Sequence, residues 1–294
     1  MKPFRPQKAP SESILLEQLS FPMLASFKLD GIRCTINDLQ PKSTSNKPLP
    51  SAWAKRYCRP EFEGLDGELV VANPTPGKVY QESMSAVMTQ GGMIPLTFHV
   101  FDMDMEGQYS DRLRKLISIC DEEPHIEILE QWRMNSIEEI LQYEDIALNA
   151  GYEGLMIRSF TGYYKRGRCT LKEYNIFKFV RHLTAEAEVV GLYEQLENQN
   201  EKVTSETGLS KRSTHQANKV GKGTLGGFNC VNLSDGVSFD IGTGEGLDAG
   251  LRAEIWSNKE KYIGKILKYR YKPYGVKDKP RQPIWIGWRD PMDM

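Results

Sequence analysis

The stretch Lys28-Leu29-Asp30-Gly31-Ile32-Arg33 places a lysine where an extended segment runs into a turn. Met23 to Phe27 before it is mostly apolar, and Gly31 to Asn37 after it carries β-branched Ile32, Thr35 and Ile36. Both are expected as strands, with Asp30-Gly31 as the tight turn between them. On its own such a turn is as readily a surface feature as a site, so its meaning depends on what accompanies it.

Working outward, the chain supplies Leu65-Asp66-Gly67-Glu68-Leu69-Val70-Val71, then Phe98-His99-Val100-Phe101-Asp102. Further on come Glu153-Gly154-Leu155-Met156-Ile157-Arg158, Tyr164-Lys165-Arg166-Gly167-Arg168 and Phe177-Lys178-Phe179. Leu65 to Val71, Leu96 to Met103 and Glu153 to Arg158 have the short apolar character of strands. Helices fill the intervals. Ser110-Asp111 can cap a helix to about Cys120, with Leu113, Leu116, Ile117 and Cys120 on one face. Ser136 and Glu139 form a capping-box pattern for a helix through Asn149, which Gly151 is suited to end.

The composition changes near Thr184. Beyond it, Ala187 to Tyr193, Gly227 to Leu233, Val237 to Gly242, Ile263 to Tyr271 and Pro283 to Trp288 are expected strands, interrupted by a helical stretch from Leu247 to Asn258. Strands in this number with a helix suit an OB-type barrel. Glu197 to Lys222 is polar and is expected as a mobile loop. The predicted organisation is α+β with two domains, residues 1–184 and 185–294. The pattern Gly242-Thr243-Gly244-Glu245-Gly246 opens no helix after a Rossmann strand, and no Walker loop occurs, so it is expected to be a turn.

Hydrophobic residues are 39% and charged residues 26% of the 294, an ordinary globular composition. No segment approaches the ~20 apolar residues of a membrane span, and the start lacks a secretory signal, so an intracellular protein acting as a monomer is expected. Cys34, Cys58, Cys120, Cys169 and Cys230 are scattered without a CxxC pair, which favours neither a disulfide framework nor a zinc site. Any metal is expected on carboxylates, phosphates and water, which describes Mg²⁺. The net charge is −1, yet from Lys259 to Arg281 nine basic residues face only Glu260 and Asp278, interleaved with Tyr262, Tyr269, Tyr271 and Tyr274. Such a run is either a solvated face or a surface that tracks a polyanion.

The ordered blocks from Lys28 to Lys178 resemble the motifs of the covalent nucleotidyltransferase superfamily, most closely the small ATP-dependent DNA ligases of bacteriophage type. The resemblance covers nearly the whole chain. It implies an ATP-grasp-like nucleotidyltransferase domain of antiparallel sheets flanked by helices, followed by an OB-fold domain. It also implies that Lys28 takes AMP from ATP and passes it to the 5′-phosphate of a nick in double-stranded DNA, with Mg²⁺ assisting. A lysine amine attacks phosphorus only when unprotonated, against an ordinary value near ~10.4, and a surrounding of cations favours that form. By the resemblance, Arg33 contacts the ribose or phosphate, Phe101 stacks on adenine, and Glu68 and Glu153 engage the sugar and the metal. Arg168 and Lys178 bind phosphate, whereas Phe98 is expected in the core.

The chain departs from the family pattern at three places. Val180 stands where the fifth motif usually repeats a lysine; either Arg181, one place later, substitutes for it or one contact is missing. Lys42 stands where an arginine commonly holds the 5′-phosphate, and it lacks the bidentate fork. The stretch Arg281 to Asp290 looks like the last OB motif, but Pro291 follows in place of the closing lysine. Lys268, Arg270, Lys272 and Arg281 are the expected DNA contacts of the second domain. An RNA ligase or an mRNA-capping guanylyltransferase would use the same lysine chemistry, and a non-catalytic OB-type nucleic-acid binder is the reading from a different class.

Overall fold

The computed structural model describes residues 4–11, 14–74, 77–91, 93–204, 210–213, 215–272 and 279–289. Tyr274, Lys277, Asp278, Asp290 and Pro291, all invoked above, lie outside them. The chain divides into two units, Met1–Arg181 and His182–Met294. In the first, β1 (Met23–Phe27), β2 (Ile32–Asn37), β3 (Gln40–Lys42) and β4 (Leu65–Val71) precede helix α1 (Val79–Met88). There follow β5 (Leu96–Met103), α2 (Tyr109–Cys120), β6 (Ile126–Ile128), β7 (Trp132–Met134), α3 (Ile137–Asn149), β8 (Leu155–Arg158) and β9 (Ile176–Phe179).

β1 and β2 do not form the hairpin that their spacing suggests. β1 joins the sheet ordered β7-β1-β8-β9, whereas β2 joins β3-β2-β4-β5-β6. The segment from Lys28 to Gly31 therefore carries the chain from one sheet to the other. Gly31 explains why a residue without a side chain is needed there: a Cβ would meet Leu69 O at 2.6 Å and Val70 Cγ2 at 2.8 Å. Within these two sheets pairing is antiparallel except between β5 and β6, which run parallel because α2 crosses over between them.

Each sheet buries one face under helices. Ile32, Cys34, Ile36, Leu65, Leu69, Phe98 and Val100 pack with Ala86 and Val87 of α1 and Leu116 and Cys120 of α2. Met23, Ala25, Leu155, Ile157 and Phe177 pack with Ile140, Tyr143 and Ala147 of α3. The expected helices form, with Ser136 Oγ accepting from Glu139 N at 3.3 Å as an N-cap. Glu139 does not close the box; its carboxylate accepts from Asn135 N at 2.7 Å. Helix α1 and strands β6 and β7 were not anticipated. The strands have only three residues each, too few for a period-2 signal.

The second unit contains β10 (Leu183–Asn198), β11 (Lys202–Thr204), β12 (Ser210–Arg212), β13 (Lys219–Asn232), β14 (Ser238–Ile241), β15 (Thr243–Gly244), α4 (Ala249–Ser257), β16 (Ile266–Lys272) and β17 (Arg281–Trp288). Its sheet runs β14-β13-β10-β16-β17-β15, with β15 and β17 parallel. Ala187, Val189, Phe228, Cys230, Ile241, Leu267 and Tyr269 form the core together with Ile255 of α4. Arg252 of α4 donates to the carbonyls of Leu225, Gly226, Leu247 and Gly242, which ties the helix to the Gly242 turn.

Of the 20 described residues in the expected loop from Glu197 to Lys222, 12 are in strands. β10 and β13 extend into it, and β11 pairs with β12. Polar side chains supply what apolar ones do not. Asn200 Nδ2 donates to Ser213 O and His215 O, and Arg212 Nη1 donates to Asn198 O and Asn200 O. Side-chain bonds to backbone thus order a tract that composition alone assigns to a loop. Among the described residues no helix is long and apolar enough to cross a membrane.

Phe98 is completely buried beside Tyr57, with ring centroids 5.2 Å apart. Phe98→Ala is expected to lower the unfolding free energy by about 3–5 kcal/mol, as read by chemical denaturation. A loss below about 1 kcal/mol would be incompatible with this packing.

Candidate active site

The main chain of Lys28 prolongs the pairing of β1 with β8. Its N–H donates to Gly154 O at 2.8 Å, and its carbonyl accepts from Glu153 N at 3.4 Å. This ladder brings the Glu153 side chain to the end of the lysine, and Lys28 Nζ pairs with the Glu153 carboxylate. Glu153 is buried at 5% side-chain exposure, whereas Lys28 keeps 29%. The acid is fixed and the amine reaches into open space.

Strand alternation builds the rest of this wall. Ser26 lies two residues before Lys28 on the same face, and the register sets Ser26 beside Met156 and Met156 beside Lys178. Arg158 follows Met156 on that face, while Ala25, Ile157 and Phe177 point into the core. Ser26, Lys28, Met156, Arg158 and Lys178 all line one pocket of about 280 Å³.

The opposite wall comes from the second sheet. Arg33 on β2 is the register partner of Glu68 on β4, and Asp66 shares a face with Glu68. Arg33 grips Asp66 with both arms of its fork, at 2.6 and 2.7 Å, and donates to Gln7 O at 3.0 Å. Burial opposes the charge on this guanidinium, but Asp66 outweighs it and holds the group above its usual range. Tyr164 donates a further bond to Asp66 at 2.7 Å. Glu68 Oε1 accepts from Gly31 N at 3.0 Å, which locks the turn after Lys28. Burial pushes the Glu68 carboxyl up, with Lys28 and Arg33 acting against the rise.

Phe101 reaches the pocket through a β-bulge. Adjacent residues Asp66 and Gly67 pair with Asp102 and Val100, which leaves Phe101 as the extra residue. Val100 and Met103 face the core, while Phe101 lines the pocket. Neighbouring Asp102 accepts from Arg112 Nε at 2.7 Å and Arg158 Nη1 at 2.8 Å. Bulges recur beside functional sites because they re-aim a side chain. The Arg33 guanidinium lies 4.5 Å and that of Arg158 5.3 Å from the Phe101 ring centroid.

Of the residues expected from sequence, Lys28, Arg33, Glu68, Phe101, Arg168 and Lys178 line the pocket, and Glu153 holds Lys28 from behind it. Lys42 does not line it; its ammonium folds back onto Asp38 and Asn37. Arg181 is likewise engaged elsewhere, pairing with buried Glu144 at 2.5 Å and with Asp145 at 3.2 Å. In the second unit Lys268, Arg270 and Lys272 alternate with inward Leu267 and Tyr269 on β16, and Arg281 on β17 is the register partner of Lys272. Arg270 pairs with Glu245 at 2.6 Å. These basic residues share the outward face of the strand.

Sequence reading missed Lys8, Ser26, Leu129, Met156 and Arg158, all of which line the pocket. Ser26 and Met156 follow from counting by twos from Lys28 and Arg158, so the signal existed for them. Lys8 and Leu129 carry none. The buried Ser26 Oγ and Arg158 Nε are two of ten buried side-chain polar atoms without a hydrogen-bond partner among the described residues, and these two belong to residues that line the pocket, where a ligand can bond.

Two family models match the chain: an ATP dependent DNA ligase domain over residues 6–179 and a DNA ligase OB-like domain over 217–289. Among solved structures, a Chlorella virus DNA ligase-adenylate is 33% identical, over 98% of this chain and 99% of that one, with a TM-score of 0.54. A second structure of a Chlorella virus DNA ligase-adenylate is 31% identical over 97% of this chain and 99% of that one, with a TM-score of 0.53. A Lig E DNA ligase, described as binding DNA with a minimal scaffold, is 21% identical over 97% and 99%, with a TM-score of 0.71, and supports the fold alone. Among curated proteins none matches.

Glu68 separates structural from chemical roles. Its folded carboxyl holds a proton more tightly than the unfolded one, so its contribution to stability falls as pH rises through and above the ordinary carboxylate range near ~4.3. Glu68→Gln keeps an acceptor for Gly31 N and removes that loss. Its thermal midpoint relative to the wild type should therefore climb from pH 4 to pH 8. Glu68→Ala, which strips Gly31 of its partner, should cost about 1–2 kcal/mol. A Gln variant that becomes relatively less stable as pH rises would refute the buried-carboxylate assignment.

Proposed function

This chain belongs to the ATP-dependent DNA ligase family, and we propose that it seals nicks in duplex DNA through a lysyl-AMP intermediate on Lys28. The observation that carries this reading is the convergence of the Lys28 amine with Glu153, Glu68 and Lys178 at one pocket, although these residues are up to 150 positions apart in sequence. We take residues 1–184 as the nucleotidyltransferase domain and 185–294 as the OB domain.

In the first step the Lys28 amine, once unprotonated, attacks the α-phosphorus of ATP. A nitrogen–phosphorus bond forms, and the bond to the leaving pyrophosphate breaks. Glu153 orients the amine, and Lys178 and Arg168 face the charge that develops on the departing phosphates. Met156, Leu129 and Phe101 offer an apolar slot for a flat base, and Ser26 Oγ offers a hydrogen bond at its edge. In the second step AMP leaves the lysine for the 5′-phosphate of the nick. In the third, the 3′-hydroxyl attacks that phosphate and AMP departs.

Magnesium fits the donors present. Glu68 lines the pocket and Glu153 stands behind Lys28, both with hard carboxylate oxygens, and among the described residues no group of three or more acids, histidines or cysteines forms a closed cage. Phosphate oxygens and water would complete the shell, as Mg²⁺ prefers. Bound there, the ion supplies charge neutralisation at the phosphates. The outward basic face of β16 suits the phosphate backbone of DNA, an interaction that weakens steeply with salt.

With ATP labelled at the α-phosphate, the wild type should retain label after denaturation and Lys28→Ala should retain none. GTP should leave no label, and a nicked DNA duplex should be sealed in preference to a nicked RNA duplex. Equal labelling of the Lys28 variant would overturn the assignment.

A further inference from the structure

Lys8 is a pocket residue for which the sequence motifs have no counterpart. Its segment is held by the main chain: Lys8 N–H donates to Gly167 O and its carbonyl accepts from Cys169 N, both at 2.8 Å. This parallel bridge lays Lys8 beside Arg168. The side chain lines the same pocket as Lys28, Arg168 and Lys178.

Its electrostatic setting is lopsided. Among the described residues no carboxylate pairs with the Lys8 ammonium. Burial lowers its affinity for a proton, and Arg168, Arg33 and Arg5 lower it further. A part-buried ammonium surrounded by guanidiniums is unfavourable by itself, and an anion entering the pocket reverses the sign of the interaction. Other cations of the wall are differently committed. Arg33 is matched by Asp66, and Arg168 donates to Ala9 O at 2.9 Å.

The vacancy this cation fills is visible in the sequence. Val180 stands at the position of the second lysine of the fifth motif, and Arg181 spends its charge on Glu144 and Asp145, away from the pocket lining. We propose that Lys8, delivered from the N-terminal segment, is a phosphate-binding residue of the adenylation site and holds the polyphosphate of ATP in place of that lysine. The proposal rests on the reading of this pocket as the nucleotide site.

The test is single-turnover formation of lysyl-AMP at varied ATP, with inorganic pyrophosphate as competitor, in the full chain. Lys8→Met keeps the aliphatic stem and the main-chain bridge. It should raise the half-saturating ATP concentration by about 10- to 100-fold, the range of a lost charge-assisted contact. The saturating rate should change less, and pyrophosphate should inhibit correspondingly more weakly. Lys8→Arg should recover ATP dependence to within about threefold of wild type, since it restores the charge. A purely structural role would lower the saturating rate and melting temperature together, without recovery by arginine, and that pattern overturns the proposal. Unchanged ATP dependence and pyrophosphate inhibition in Lys8→Met also overturn it, while wild-type labelling keeps the nucleotide reading intact. Wild-type protein that takes no label from ATP rejects both. Should Lys8→Met fail to fold, Lys8→Gln is read in the same assay.

Discussion

The pairing of Lys28 with Glu153 is the interaction on which the pocket depends, and it is a backbone effect before it is an electrostatic one. The ladder between β1 and β8 runs one step past the strand end, so that Lys28 N–H donates to Gly154 O and Glu153 N–H donates to Lys28 O. Gly154 makes this possible: its φ of +138° and a virtual Cβ 2.4 Å from Phe179 O exclude any side chain. A buried carboxylate left alone would be costly. With the lysine opposite, the cost is offset while the ammonium end still reaches the pocket. Sheet register thus sets where the Lys28 side chain begins and which carboxylate it meets.

The same logic places the facing wall. Since β1 and β2 belong to different sheets, the few residues between them set the distance from Lys28 to Glu68, Arg33 and Phe101. Glu68 closes this linkage by accepting from Gly31 N. Behind the wall, Asp66 is matched by Arg33 and Tyr164, and Asp102 by Arg112 and Arg158. These buried acids anchor cations rather than neutralise the whole pocket, and truncating either would strand charge in the interior.

Much of this was legible in the sequence, and the limits are physical. β1, β4, β5, α2 and α3 announce themselves by apolar runs and caps, and the ordered blocks single out Lys28, Arg33, Glu68, Phe101, Glu153, Arg168 and Lys178, which line or adjoin one pocket. Sheet membership was not legible, because a turn signal such as Asp30-Gly31 says that the chain changes direction but not which partner each strand takes. The Phe101 bulge was hidden for a related reason: period-2 alternation presumes an unbroken ladder, and only the cross-strand register shows Phe101 as the extra residue between Val100 and Asp102. Lys42 and Arg181 illustrate the converse limit. Residue type and spacing made them plausible phosphate ligands, but nearby Asp38 and Glu144 take up their charge. Lys8 carries no motif at all, since a long-range bridge to the Gly167–Cys169 segment brings it in.

The pocket that results has a surplus of cations and buried polar atoms without partners, a combination that stability alone would not favour. Ser26 Oγ and Arg158 Nε lack bonds within the described residues, Lys8 lacks an anion, and Glu68 is held in a site that disfavours its charge. Buried polar atoms without partners also occur elsewhere among the described residues, Tyr269 Oη and Trp285 Nε1 among them, so it is the excess of cations that sets this pocket apart. That excess of positive charge implies that the compensation comes from outside the chain. A nucleotide carries a flat base with an edge to bond and a polyanion to balance the cations. Each surplus in the wall corresponds to a deficit in that one ligand class.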